Sequence, residues 1–233
     1  MRSILQFLPL ILLTTLVLAC EEDNFAEPTT SLTGRLVYQG EPINVEYNRV
    51  SYELYQDGFG KVGPIGSTFT SEGEFSHLLF NGEYKMIIPI GQGPFLPLQN
   101  QSGQPDTIRI DLRGNEVMDI EVTPYWRIQN ALISAGEDRV GATVSLEQIV
   151  TGDQAKDIES VTLYVSKTAF ANTQTNVATA AMGGGDIADM NSISLSVDIP
   201  EIQPVQNYVF ASVGVKFAGV EDLLFSDTER LDF

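Results

Sequence analysis

One histidine, one cysteine and 31 carboxylates are the side chains here that could make bonds or hold metals. His77 is that histidine. A nucleophilic triad would need it exposed beside a hydroxyl and an acid. Its phase in the segment 74–80 instead matches Phe75 and Leu79, which predicts a partly buried structural residue. Zinc-type sites take several His or Cys ligands, and this chain has one of each. Asp186 and Asp189 could meet calcium, but their spacing matches no calcium loop. A glycosidase places two carboxylates across a cleft. With 31 acids some pair always falls close, so abundance alone is not diagnostic. The sequence predicts a non-enzymatic protein with no catalytic residues, no metal site and no cofactor.

Aromatic rings are the other chemical resource, because the apolar face of a pyranose packs well on a flat ring. Phe59, Phe95 and Trp126 lie in or beside Gly/Pro-rich segments or a domain junction, and they are the candidate ligand-binding residues. Each has a competing role in packing. For Trp126, next to Pro124 and Tyr125, that role is interdomain contact; for Phe59 and Phe95 it is loop anchoring.

Cys20 closes an apolar run that follows Met1-Arg2, the layout of a secretory signal over residues 1–19. The run is short for a membrane crossing, which takes about 20 apolar residues. Val17-Leu18-Ala19-Cys20 resembles the lipobox of bacterial lipoproteins, which implies cleavage before Cys20 and acylation on it. Each buried lipid CH2 contributes about 0.8 kcal/mol, so several acyl chains make a firm anchor. Residues 20–30 then form a lipidated polar tether. Its Glu21, Glu22 and Asp23 resemble the export signal by which Bacteroidetes lipoproteins reach the cell surface. The expected location is therefore the outer membrane, lipid-anchored on the outer face. A formal charge of −18 repels phosphate backbones, which excludes nucleic acid as a partner.

Strands must position whatever site exists. Leu32, Gly34, Leu36 and Tyr38 alternate with Thr33, Arg35 and Val37, and Val50, Tyr52 and Leu54 form a second alternating set. Asn81-Gly82 between two such runs predicts a hairpin. A second hairpin is expected from Ile108, Ile110 and Leu112 to Met118, Ile120 and Val122, turning at Arg113-Gly114-Asn115. Thr123-Pro124 punctuates the chain. Beyond it come rows at Val140–Leu146, Val161–Val165, Ile193–Val197 and Val209–Phe217. The Ala/Asn/Thr/Gly-rich stretch 168–190 lacks apolar content and reads as a long mobile loop. These patterns predict an all-β chain of two β-sandwich domains in tandem, 31–123 and 124–233, each folding independently.

Leu32-Thr33-Gly34-Arg35-Leu36-Val37 followed by Gly40-Glu41-Pro42-Ile43 resembles the opening of carboxypeptidase-regulatory-like (transthyretin-like) sandwiches. Gly73-x-Phe75, Asn81-Gly82-x-Tyr84, Gly93-Pro94-Phe95-x-Pro97 and Glu121-Val122-Thr123-Pro124-Tyr125 extend the likeness. Together they resemble a two-domain family of Bacteroidetes surface lipoproteins of unassigned biochemistry, found beside starch-utilisation-type glycan-uptake loci. The resemblance implies a transthyretin-like domain followed by an immunoglobulin/fibronectin type III-like one. Tyr208 is out of phase with its row, so a tyrosine corner is not expected. For function it implies an accessory or glycan-binding component with a polysaccharide as partner. The alternative is a scaffold binding outer-membrane transporter proteins.

Overall fold

The computed structural model describes residues 26–58 and 63–233. Cys20, Glu21, Glu22, Asp23 and Phe59 lie outside the described residues. The first domain contains β1 (Thr30–Tyr38), β2 (Glu41–Pro42), β3 (Ser51–Gln56), β4 (Ile65–Thr68), β5 (Glu74–Leu79), β6 (Gly82–Ile87), β7 (Ile108–Leu112), β8 (Glu116–Val117) and β9 (Ile120–Glu121). The second contains β10 (Trp126–Ala135), β11 (Arg139–Gln148), β12 (Ile158–Ser166), β13 (Ala178–Gly183), β14 (Ile193–Asp198), β15 (Tyr208–Phe217), β16 (Leu224–Phe225) and β17 (Glu229–Asp232). The chain is all-β, built as two tandem sandwich-like domains.

In the first domain β2, β5, β8 and β9 all pair with β1, while β4-β3-β6-β7 form the opposing sheet. Alternation buries Leu32, Leu36, Tyr52, Leu54, Tyr84 and Met86 between them. Neither expected hairpin forms. β5 pairs with β1 and β6 with β3 and β7, so Asn81-Gly82 carries the chain from one sheet to the other. Likewise β7 stays with β6, whereas β8 and β9 run parallel to β1. A turn signal fixes where the chain bends. Whether the flanking strands pair depends on where each apolar face finds its partner, and here both face each other across the core.

The second domain packs β10-β11-β14 against β13-β12-β15, with β16 and β17 extending the latter sheet at β15. The stretch 168–190 is not one long loop. β13 pairs with β12 in register from Val165↔Ala178 to Ser160↔Gly183. Backbone pairing with a buried neighbour supplies what alanine's weak strand preference does not. A Cβ on Gly184 would overlap the Ile158 carbonyl, so this glycine allows close backbone approach and is not a sign of mobility.

The domains share a seam. Val45 of the first and Leu224 of the second form an antiparallel bridge, and Phe225 N–H donates to the Asn44 carbonyl at 3.2 Å. Asn44 also donates from its side chain to Asp227, at 2.7 Å. Tyr125, just past the junction, donates its backbone N–H to the Pro94 carbonyl of the first domain at 3.1 Å and meets Phe217 of its own domain edge to face at 6.1 Å. One continuous apolar core includes Val45, Phe95, Trp126 and Leu224. The expected independence of the two units thus meets a core that crosses the junction.

Candidate functional site: an aromatic pair at the domain seam

The segment after β2 alternates inward and outward until it turns. Val45 and Glu46 are buried, and Arg49 N–H donates to the Glu46 carbonyl at 3.2 Å. That bond closes a four-residue turn. Asn48 takes φ 59°, the left-handed conformation that Asn tolerates better than most residues. Its side chain accepts the Thr68 hydroxyl at 2.7 Å, fixing the turn to the strand behind it. Tyr47 is left at the tip, 44% exposed.

The second wall comes from the other domain. Ala171 and Asn172 are buried, Ala171 against Tyr164, Leu223 and Phe225. The Ser212 hydroxyl donates to the Ala171 carbonyl. Asn172 Oδ1 accepts the backbone N–H groups of Gln174 and Thr175, both at 2.9 Å, which folds the following residues into an Asx-type turn. With its neighbour anchored inward, Phe170 projects outward, also 44% exposed.

These two exposed rings meet. Tyr47 and Phe170 have centroids 4.6 Å apart and planes inclined at 41°. They border a hollow of about 350 Å³ with Asn48, Arg49, Asn172 and Gln174. Beneath them Glu46 ties the two loops together, accepting both the backbone N–H and the hydroxyl of Thr173. Its other oxygen lies 3.9 Å from Arg49 Nε. The arrangement offers ring faces for apolar C–H surfaces, and amide and guanidinium groups for hydroxyls.

The sequence candidates fall elsewhere. Phe95 is 2% exposed and Trp126 9% exposed, so neither presents a ring face to a ligand. Phe95 instead forms a bridge with Pro124, and Trp126 Nε1 donates to the Lys156 carbonyl at 2.7 Å. Both serve packing, because a large ring beside the junction gains more from burial in the shared core than from solvent. His77 lies between buried Phe75 and Leu79, with its Nε2 2.7 Å from Tyr52 Oη. Burial pushes its pKa below the ordinary histidine value. Asp189 accepts from the backbone and side chain of Asn191.

Sequence reasoning missed Tyr47 and Phe170. One signal was available: each aromatic precedes an Asn by one or two residues, as Tyr47-Asn48 and Phe170-Ala171-Asn172. An aromatic beside an amide in a turn is the composition of an exposed, polar-rimmed ring.

A second hollow, of about 320 Å³, lies among residues 41–44, β10 and residues 224–229. The aromatic on its wall, Phe225, is buried, so it lacks a stacking face.

A family described as "Protein of unknown function (DUF3823) N-terminal domain" matches residues 30–123, and "Domain of unknown function (DUF3823_C)" matches 126–230. The chain belongs to the DUF3823 family. A DUF3823 protein of Parabacteroides merdae is 31% identical, with 89% of this chain and all of that chain covered and a TM-score of 0.75. A second, of Bacteroides ovatus, is 26% identical over 88% of this chain and 99% of that one, TM-score 0.73. A candidate carbohydrate-binding protein of Bacteroides uniformis shares the fold at 15% identity, over 88% of this chain and 100% of that one, TM-score 0.67. No curated protein matches.

Proposed function

We propose that this DUF3823 protein is a non-enzymatic, lipid-anchored glycan-binding accessory of a polysaccharide-uptake system at the outer membrane. The observation that carries the reading is the Tyr47–Phe170 pair, two half-exposed rings held in contact by loops from different domains. Exposing two large aromatics side by side forgoes burial. A ligand with apolar faces and a hydroxyl rim recovers it. The amides of Asn48 and Gln174 and the Arg49 guanidinium stand where such hydroxyls would reach. The shared fold with a candidate carbohydrate-binding protein is in keeping with this, although 15% identity speaks to the fold alone. The lipid anchor rests on Cys20 and the lipobox-like residues before it, and surface location on Glu21, Glu22 and Asp23.

Native gels cast with a panel of polysaccharides test the binding. The full chain should be retarded by at least one polymer, and Tyr47→Ala and Phe170→Ala should each weaken that retardation. A single ring contact contributes about 0.5–1.5 kcal/mol, so the loss per ring is up to about tenfold. Absence of retardation by every polymer, together with co-purification of an outer-membrane transporter, would replace this reading with the scaffold one.

A further inference from the structure

We infer that the Tyr47–Phe170 site takes an uncharged, soluble polysaccharide and rejects acidic glycans and flat crystalline ones. This rests on the glycan reading above and adds the class of ligand. Three observations carry it.

The first is local charge. Among the described residues lining the hollow, Arg49 is the one cation. Its guanidinium already faces the buried Glu46 at 3.9 Å. Burial raises the pKa of Asp222 across the seam, and the Arg49 charge is among the smaller influences that oppose this. A cation already set beside a buried acid offers a uronate or sulfate less than an unpaired one would. Taking it away would leave Glu46 buried without its ion-pair partner.

The second is the surrounding field. The chain carries −18, and the exposed Asp227 stands between Ser226 and Thr228, which border a small hollow together with Tyr47 and Phe170. A polyanion lying across the platform would meet that carboxylate and the net negative charge of the chain. Juxtaposed like charges oppose docking at an interface, and the effect persists within a screening length of about 8 Å at physiological salt.

Ring geometry is the third. Planes inclined at 41° cannot both lie flat on one flat sheet of polymer. A crystalline face would engage one ring and lift off the other. A soluble chain, free to twist between residues, can present a sugar face to each.

The test uses the full chain against soluble neutral polymers (dextran, galactomannan and arabinoxylan), soluble acidic ones (polygalacturonate and chondroitin sulfate) and microcrystalline cellulose. Expected is retention by a neutral soluble polymer, weakened up to about tenfold in Tyr47→Ala. That affinity should change by less than about twofold between 50 and 500 mM salt, because no ion pairs form. Phe170→Ala gives the same readout from the other domain should Tyr47→Ala misfold. Retention on an acidic polymer that depends on Tyr47 and collapses in salt would overturn the ligand class while leaving the platform standing. Tyr47-dependent capture by crystalline cellulose would do the same. Retention on nothing at all would instead sink the glycan reading itself.

Discussion

The carboxylate of Asp222, in the second domain, accepts the backbone N–H of Gly93, in the first, at 2.9 Å. Asp222 is 4% exposed, and burial raises its pKa above the ordinary carboxylate value, opposed by this hydrogen bond. The acid is therefore harder to ionise in the fold than in the unfolded chain. Its contribution to stability is full below the unfolded value and is lost as pH rises through the folded one. Asp222→Asn keeps an acceptor for Gly93 and removes the titration. Urea midpoints measured from the acidic carboxylate range up to neutrality should show the wild type losing ground to Asp222→Asn as pH rises. Parallel curves would mean that this carboxylate is not burdened by burial.

The seam itself gives the next expectation. Leu224 is 3% exposed and pairs with Val45 across the domains. Leu224→Ala should cost about 2–5 kcal/mol, the range for a buried leucine that leaves a cavity. Because the core is continuous, the whole chain should still unfold in one transition. Two separated transitions in wild-type calorimetry, with only the second moved by the variant, would show that the seam does not couple the domains.

Trp126 separates packing from binding. Its indole is buried and bonded to the Lys156 carbonyl, away from the Tyr47–Phe170 hollow. Trp126→Ala should lower stability by about 3–5 kcal/mol. The fraction that remains folded should bind polysaccharide as the wild type does. Unaltered stability with lost binding would return Trp126 to the candidate site.

Much of this architecture is legible in the residues, and its gaps have physical causes. The rows at Leu32/Leu36, Ile110/Leu112 and Val140/Val144 are buried as their alternation predicts, since one wet face per sheet imposes period two. Val161/Val165 and Val209/Val213 instead lie in strands buried on both faces over most of their length. His77 is placed correctly by the same phase. Pairing is another matter: Asn81-Gly82 marks a bend but not which sheet each arm joins. β13 was hidden because Ala-Thr-Ala-Ala has little strand character of its own and is held by β12. The aromatic site was illegible for a simpler reason. Tyr47 and Phe170 are distant in sequence and belong to different domains, so only the seam brings their rings into contact. Phe95 and Trp126 misled because a ring near a junction has the same sequence context whether it faces solvent or the core.

Location gives the last prediction. Cys20 is the only cysteine and ends an apolar stretch, so acylation has one place to occur. Replacing it should leave nothing to hold a chain of charge −18 on an anionic bilayer, since the same charge that keeps it soluble repels the headgroups. Cys20→Ser should therefore move from the membrane to the soluble fraction. In the wild type, protease added to intact cells should digest the protein if Glu21, Glu22 and Asp23 direct it outward. Changing all three to Ala should protect it while leaving it membrane-bound, because the anchor and the address are separate signals. The two variants distinguish two errors. Membrane retention of Cys20→Ser would refute the lipid anchor. A wild type that resists protease on intact cells but is digested in lysates would instead be anchored facing the periplasm, where it could meet polysaccharide only after that polymer had crossed the outer membrane.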